Sequence, residues 1–199
     1  MPRPTQLAKP KARLTAGIGR RAEEKGSLTP RTTIELQEYN PQWPQQFMRV
    51  KTELMQRLNE LVLDIQHIGS TAVPHMVAKP NIDILLITPD LEALDNAKRQ
   101  TTEMGFNGLG EYGVDGRRYF TRYHPAHCAI NLHAFQPGHR HAIDLLLLRD
   151  FLRSNQAARQ RFETCKRAIA TEHRTNPGAY QAGKQPIIEW LLARATGRR

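Results

Sequence analysis

Phe47, Val50, Leu54, Leu58 and Leu61 recur at intervals of 3, 4, 4 and 3 residues, a spacing that a helical turn of 3.6 residues gathers onto one face. The pattern predicts a helix that starts at Pro44, a residue suited to a first turn, and ends near Glu60. Ahead of it, Ile34, Leu36 and the residues up to Tyr39 read as a short strand, stopped by Asn40-Pro41-Gln42-Trp43-Pro44. Residues 62–68 and 82–87 read as two further strands. The second is apolar except at Asp83, as expected of a central strand buried on both faces. Thr88-Pro89-Asp90 offers a hydroxyl cap, a proline at the first position and an acid in the first turn of a helix. That helix should run to about Met104, where Gly105 stops it.

Gly108, Gly110, Gly113 and Gly116 mark a turn-rich stretch, with Val114-Asp115-Gly116 as a hairpin turn leading into strands over residues 118–123 and 129–135. Pro137-Gly138 breaks the chain before a helix over residues 140–153, whose run Leu145-Leu146-Leu147-Leu148 is apolar nearly all round and predicts deep packing. Ala158, Phe162, Cys165 and Ile169 form one stripe of a further helix, which Pro177-Gly178 ends, and residues 186–195 form the last. Trp43 and Phe47 are read as core. The order of elements predicts an α+β domain: a mixed β-sheet flanked by helices, with a helical C-terminal part.

Residues 1–33 show no period and mix Pro, Lys, Arg, Thr and Gly, so the reading is a disordered basic N-terminal arm followed by one domain over residues 34–199. The arm carries most of the charge imbalance. The chain's net charge is +10, and residues 1–31 hold eight Lys/Arg against Glu23 and Glu24. Such an arm can bind the phosphates of a nucleic acid or remain a solvated extension. Residues 1–22 are also basic and acid-free, as transit peptides are. The longest apolar runs, residues 84–87 and 145–148, fall far short of the roughly 20 residues that span a membrane. With no secretory apolar stretch at the N-terminus and two cysteines, Cys128 and Cys165, in unrelated segments, the expectation is a cytoplasmic protein with no membrane partner. The oligomeric state is not legible.

The segment Gln66-His67-Ile68-Gly69-Ser70-Thr71-Ala72-Val73-Pro74, followed by Lys79-Pro80-Asn81-Ile82-Asp83, is the richest in chemistry. A strand that ends in Gly-Ser and turns exposes backbone N–H groups and a hydroxyl, an edge that accepts phosphate. This makes Gly69, Ser70 and Thr71 candidate phosphate-binding residues, with the glycine allowing close approach. Asp83 is a carboxylate on an apolar strand, where its charge needs a metal ion or a hydrogen-bond donor to offset it. Asn81 and Asp83, two residues apart on a strand, face the same way and are candidate metal ligands.

Gly-Ser followed by an acidic strand is the arrangement of the nucleotidyltransferase superfamily, and within it the chain resembles the GrpB family. The resemblance covers about residues 34–196. It rests on Tyr39-Asn40-Pro41-Gln42-Trp43-Pro44, on His67 to Pro74, and on Lys79-Pro80 through Asp83. Further along it rests on Gly116-Arg117-Arg118-Tyr119-Phe120, Asn131-Leu132-His133, Leu148-Arg149-Asp150-Phe151-Leu152-Arg153, and Tyr180 with Lys184. It implies a nucleotidyltransferase-like fold with a site for a nucleotide or another phosphorylated small molecule, and Mg²⁺ as an optional cofactor. The GrpB domain also occurs fused to dephospho-CoA kinase in some bacteria. Two-metal transfer uses several carboxylates, yet Asn81 stands where an Asp-x-Asp pair would begin, and residues 129–135 offer only Asn131 and His133 on their polar face. Gln66 stands where many family members have Glu, and His75 where they tend to have Gly. The reading is therefore ligand binding with a site degenerate for catalysis, and an active Mg²⁺-dependent nucleotidyltransferase is the alternative.

Lys79 and Lys184 are candidate phosphate-binding residues; Lys166, like Lys184, lies where nucleotidyltransferases often place cations for the triphosphate, but the expectation for it is an exposed side chain. Arg117 and Arg118 could clamp phosphate or form a solvated pair; adjacent strand residues face opposite ways, so at most one belongs to the site. Asp83 is the leading candidate catalytic residue. His133 is the second, as metal ligand or base, with a hydrogen-bonded structural role as the other reading. His124, His127, Cys128, His139 and His141 cluster in sequence, but their spacing matches no common zinc framework, so zinc is not favoured. Arg149 and Asp150, on a packed helix, are read as an internal ion pair, with bracing of the site as the other reading.

Overall fold

The computed structural model describes residues 33–123 and 128–197. The N-terminal arm through residue 32, with the nucleic-acid role expected of it, and His124 and His127 lie outside the described residues.

Helix α1 (Trp43–Leu58) buries the expected stripe Trp43, Phe47, Val50, Leu54 and Leu58, and a 3₁₀ turn over Asn59–Leu61 ends it. Five strands follow: β1 (Asp64–Ile68), β2 (Asn81–Ile87), β3 (Asn107–Gly108), β4 (Arg118–Arg122) and β5 (Ala129–Phe135). Their spatial order is β1-β2-β5-β4-β3. Only the β2/β5 pair is parallel; the others are antiparallel. The sheet is mixed, as expected; β2 is an interior strand, between the edge strand β1 and β5, and β5 is the middle one.

Register assigns the two faces. Ile65, Ile82, Ile84, Leu86, Phe120, Ile130, Leu132 and Ala134 share one face and form the main core with α1 and with α2 (Leu91–Asn96) and α3 (Lys98–Glu103). On the opposite face Ile68, Leu85 and Phe135 pack against α4 (Arg140–Ser154) through Ala142, Leu145 and Leu146. This second face carries Asn81 and Asp83 at the other end of β2, in register with Ala129 and Asn131 of β5. α4 continues into the C-terminal helices α5 (Gln156–Glu172), α6 (Pro177–Gly183) and α7 (Gln185–Ala195). Leu148, Phe151 and Leu152 pack there with Val73, Met76, Phe162 and Leu191.

Several local expectations are corrected. Residues 34–39 form no strand beyond a bridge in which Gln37 and Ala78 exchange two backbone hydrogen bonds, of 2.8 and 2.9 Å. The helix expected over residues 88–104 starts later and is broken. Thr88 stays with the sheet through its N–H to the Phe135 carbonyl, and Asp90 is the cap, accepting from Glu92 N and Ala93 N. Ala97 interrupts the helix between α2 and α3. Pro177-Gly178 does not end α5; it opens α6, with Pro177 in the first turn and Asn176 as cap. The leucine run of α4 is only half-buried, because α4 lies at the seam between the sheet and the helical part and its outer side, marked by Ile143, meets solvent.

β1 is an edge strand, and its outward carbonyls are covered by cations: Lys51 Nζ donates to Ile65 O at 3.0 Å and Arg149 Nη1 to His67 O at 3.1 Å. Both cations line a cleft of about 260 Å³.

Leu54 is fully buried where α1 meets the sheet. Leu54→Ala is expected to lower stability by about 2–5 kcal/mol, read as a fall in the urea midpoint at unchanged slope.

Candidate functional site

Asp83 and the turn after β1 meet because β1 and β2 pair with Ile68 opposite Asp83. Leaving β1, the chain passes through Gly69 at φ +72° and enters a 3₁₀ turn over Ser70–Ala72. A Cβ at position 69 would lie 2.3 Å from Asp83 Oδ2, closer than any real contact. Two independent constraints, a left-handed φ and the absence of space, therefore require glycine here. The other carboxylate oxygen, Oδ1, accepts from Asn131 Nδ2 at 2.7 Å. Burial pushes the Asp83 carboxyl above its ordinary range, while the Asn131 hydrogen bond and the charges of Lys184 and Lys79 pull it back.

The cations come from the helical part. Lys166, on α5, is 1 % exposed, against the expectation of a solvated side chain. Its ammonium donates to Ser70 Oγ at 3.1 Å and to Val77 O, and lies 4.9 Å from the Phe162 ring centre. α5 holds the Val77 backbone by both groups, since Val77 N donates to Glu163 Oε1 at 2.8 Å. Lys166 follows Phe162 by four residues, as Phe162 follows Ala158, so it lies on the buried stripe of α5; that spacing is the signal by which the sequence could have revealed it. Lys184, between α6 and α7, stands over Tyr180 at 4.8 Å from the ring centre, and Lys79 approaches the same ring at 5.9 Å. Burial, with the neighbouring charge of Lys184, lowers Lys166 to about 7; burial lowers Lys184 to about 8, with Asp83 opposing the shift.

The remaining candidates sort by sheet face. Arg117 and His133 lie on the Asp83 side, and Arg117 is spent on the protein. Its Nε donates to Glu111 O, its Nη2 to Tyr112 O and its Nη1 to His133 Nδ1 at 3.4 Å. A guanidinium only donates, so His133 Nδ1 is an acceptor and its proton resides on Nε2. Burial and Arg117 hold His133 down at about 3, so at neutral pH it is an uncharged ring and a weak base. Arg118 points to the other face and pairs with Asp95 at 2.8 Å. Thr71 is buried, its hydroxyl donating to Asn81 O and meeting His67 Nε2, both at 3.0 Å, so the side chain braces the turn from behind. Asn81 is half-buried on the Asp83 face. Gln66 accepts from Arg149 Nη1 at 3.0 Å, and Arg149 also grips Asp150 at 2.7 Å. His139 stacks on Phe135 and the His141 ring meets it at a tilt, beside the start of α4. The structure thus brings together Gly69, Ser70, Lys79, Asn81, Asp83, Asn131, Lys166 and Lys184, and leaves Arg118 and the Thr71 hydroxyl outside.

Comparison with known proteins shows the family. The model of the family described as GrpB protein matches residues 33–194, and the chain belongs to that family. It is 31 % identical to UPF0157 protein YqkA of Bacillus subtilis over 82 % of this chain, but spans only 47 % of that relative's length. It is 32 % identical to UPF0157 protein BH1888 of Halalkalibacterium halodurans, over 85 % of this chain and 87 % of the relative. Among solved structures, GrpB from Enterococcus faecalis matches with a TM-score of 0.73 at 32 % identity, over 80 % of this chain and 98 % of that one.

Gly69→Ala is expected to cost more than about 1 kcal/mol and to displace the Asp83 carboxylate from Asn131, seen as a lower melting temperature together with a shift of the Asn131 side-chain amide resonances. In the unfolded chain both lysines keep their protons to about pH 10.4. Between pH 7 and 10 the unfolded state therefore binds more protons than the native state, and stability rises with pH. Urea denaturation across this range should show that rise, and Lys166→Met should flatten the part that begins near pH 7. An unchanged slope would contradict the lowered value for Lys166.

Proposed function

We propose that this GrpB-family protein binds a nucleotide or another phosphorylated small molecule at the turn that joins Gly69 and Ser70 to Asp83. The observation that carries this reading is the contact of the buried Lys166 ammonium with Ser70 Oγ, beside Lys184 and Lys79. A buried lysine and a half-buried one, both held below their ordinary range by desolvation, suit an incoming anion. The N–H groups of the turn, the Ser70 hydroxyl and the lysine donors suit phosphate oxygens. Asp83, held by Asn131, packs against the turn at Gly69 and opposes the downward shift of Lys184.

Catalysis has less support than binding. His133 is neutral and tied to Arg117, and Asp83 is the single carboxylate among the residues assembled at the turn, with Asn81 and Asn131 beside it. A transferase that must steady charge on both the attacking and the leaving oxygen is served poorly by that set.

Isothermal titration with ATP, GTP, CTP, UTP and dephospho-CoA tests the reading. At least one should bind, and Ser70→Ala should weaken that ligand about 10-fold or more, as expected for loss of a hydrogen bond to a charged group. Absence of binding by all five would overturn it.

A further inference from the structure

The nucleotidyltransferase resemblance implies a divalent metal at Asp83, and the residues present do not suit one. The three positions that would offer carboxylates are Asn81, Asp83 and Asn131, all on one face of adjacent strands. Asp83 Oδ1 is occupied by the Asn131 N–H, and Oδ2 is packed against the Gly69 backbone. Among the described residues no three His, Cys, Asp or Glu side chains come together as a metal cage. Lys184 and Lys79 act on this single carboxylate and Lys166 stands at Ser70, and their charges oppose a divalent cation and favour a multiply charged anion.

We infer that the lysines take the role of the metal: the site binds a phosphomonoester or diphosphate group directly, through Lys166, Lys184 and Ser70, without a divalent ion. The inference rests on the phosphate-binding reading above and adds what supplies the positive charge. Its physical basis is that an ammonium already buried and hydrogen-bonded to Ser70 Oγ needs no further dehydration when an anion arrives. A divalent ion would have to share one carboxylate that is already hydrogen-bonded. Because the lysines sit near 7 and 8 before the ligand arrives, an entering anion raises both and draws protons from solution.

The test titrates the full chain with inorganic pyrophosphate and with ATP, in EDTA and in excess Mg²⁺, at pH 8 in two buffers of different ionisation enthalpy. The expected result is binding in EDTA at least as tight as in Mg²⁺, with net proton uptake. Lys166→Met should weaken binding at least about 10-fold, and Lys184→Gln should do so by a comparable factor. Melting curves of each variant establish that it is folded, and Lys184→Gln serves the test if Lys166→Met is not. Binding seen only with Mg²⁺ would overturn the inference while leaving the phosphate site intact. Binding under neither condition would overturn the phosphate site itself.

Discussion

The close approach of the Gly69 backbone to the Asp83 carboxylate is the constraint on which the rest of the site depends. β1 and β2 are antiparallel with Ile68 opposite Asp83, so the first residue beyond β1 must turn directly over that side chain. With φ at +72° and no room for a Cβ, the turn can be made only by glycine. Everything downstream inherits its position from this step. Ser70 follows at the start of the 3₁₀ turn, and Thr71 drops behind it to bridge His67 and the Asn81 carbonyl. The hydroxyl of Ser70 and the carboxylate of Asp83 are thus fixed relative to each other by backbone geometry, which costs less conformational entropy than ordering two long side chains.

The lysines are positioned by a separate mechanism, the packing of the C-terminal helices on the loop after that turn. Val73 and Met76 are fully buried against Phe162, Leu152 and Leu191, and α5 holds the Val77 backbone between Glu163 and Lys166. Burying an ammonium is unfavourable unless donors and acceptors replace its water. The Val77 carbonyl, the Ser70 hydroxyl and the Phe162 ring do so in part, and the downward shift of Lys166 records the remainder. Sheet and helical part therefore meet at the site, each contributing what the other lacks: the sheet an ordered turn and one carboxylate, the helices the cations.

How much of this was legible in the sequence follows from which forces act locally. The stripe of α1, the interior strand with its lone acid and the Gly-Ser turn were all readable, because periodicity and glycine chemistry are local. The rule that adjacent strand residues face opposite ways restricted the Arg117-Arg118 pair to one member of the site, and the register places Arg117 on the Asp83 side. Proline and glycine near residue 177 were misread because the same pair can stop a helix or open one, and only the Asn176 cap decides between them. Lys166 was misread because a lysine's type predicts exposure, whereas its place four residues after Phe162 predicts burial, and here tertiary packing outweighed type. His75, which stands where the family tends to have glycine, does adopt φ +63°, a conformation that costs a non-glycine residue roughly 1–2 kcal/mol.

Arginine and lysine divide the work of positive charge in this fold, and the division follows from their chemistry. Arginines take the carboxylates: Arg118 with Asp95, Arg122 with Glu53, Arg140 with Asp144, Arg149 with Asp150 and Arg167 with Glu38. A planar guanidinium keeps its charge at any accessible pH and reaches two or three acceptors at once, as Arg149 does with Asp150, Gln66 and the His67 carbonyl. Such residues brace strand edges and helix ends, and their charge is already answered. Lys166 and Lys184 are instead placed over the Phe162 and Tyr180 rings, next to a hydroxyl and near one carboxylate. An ammonium is a compact point charge whose protonation responds to its surroundings, so the charge beside Ser70 is set by burial, as a guanidinium's would not be.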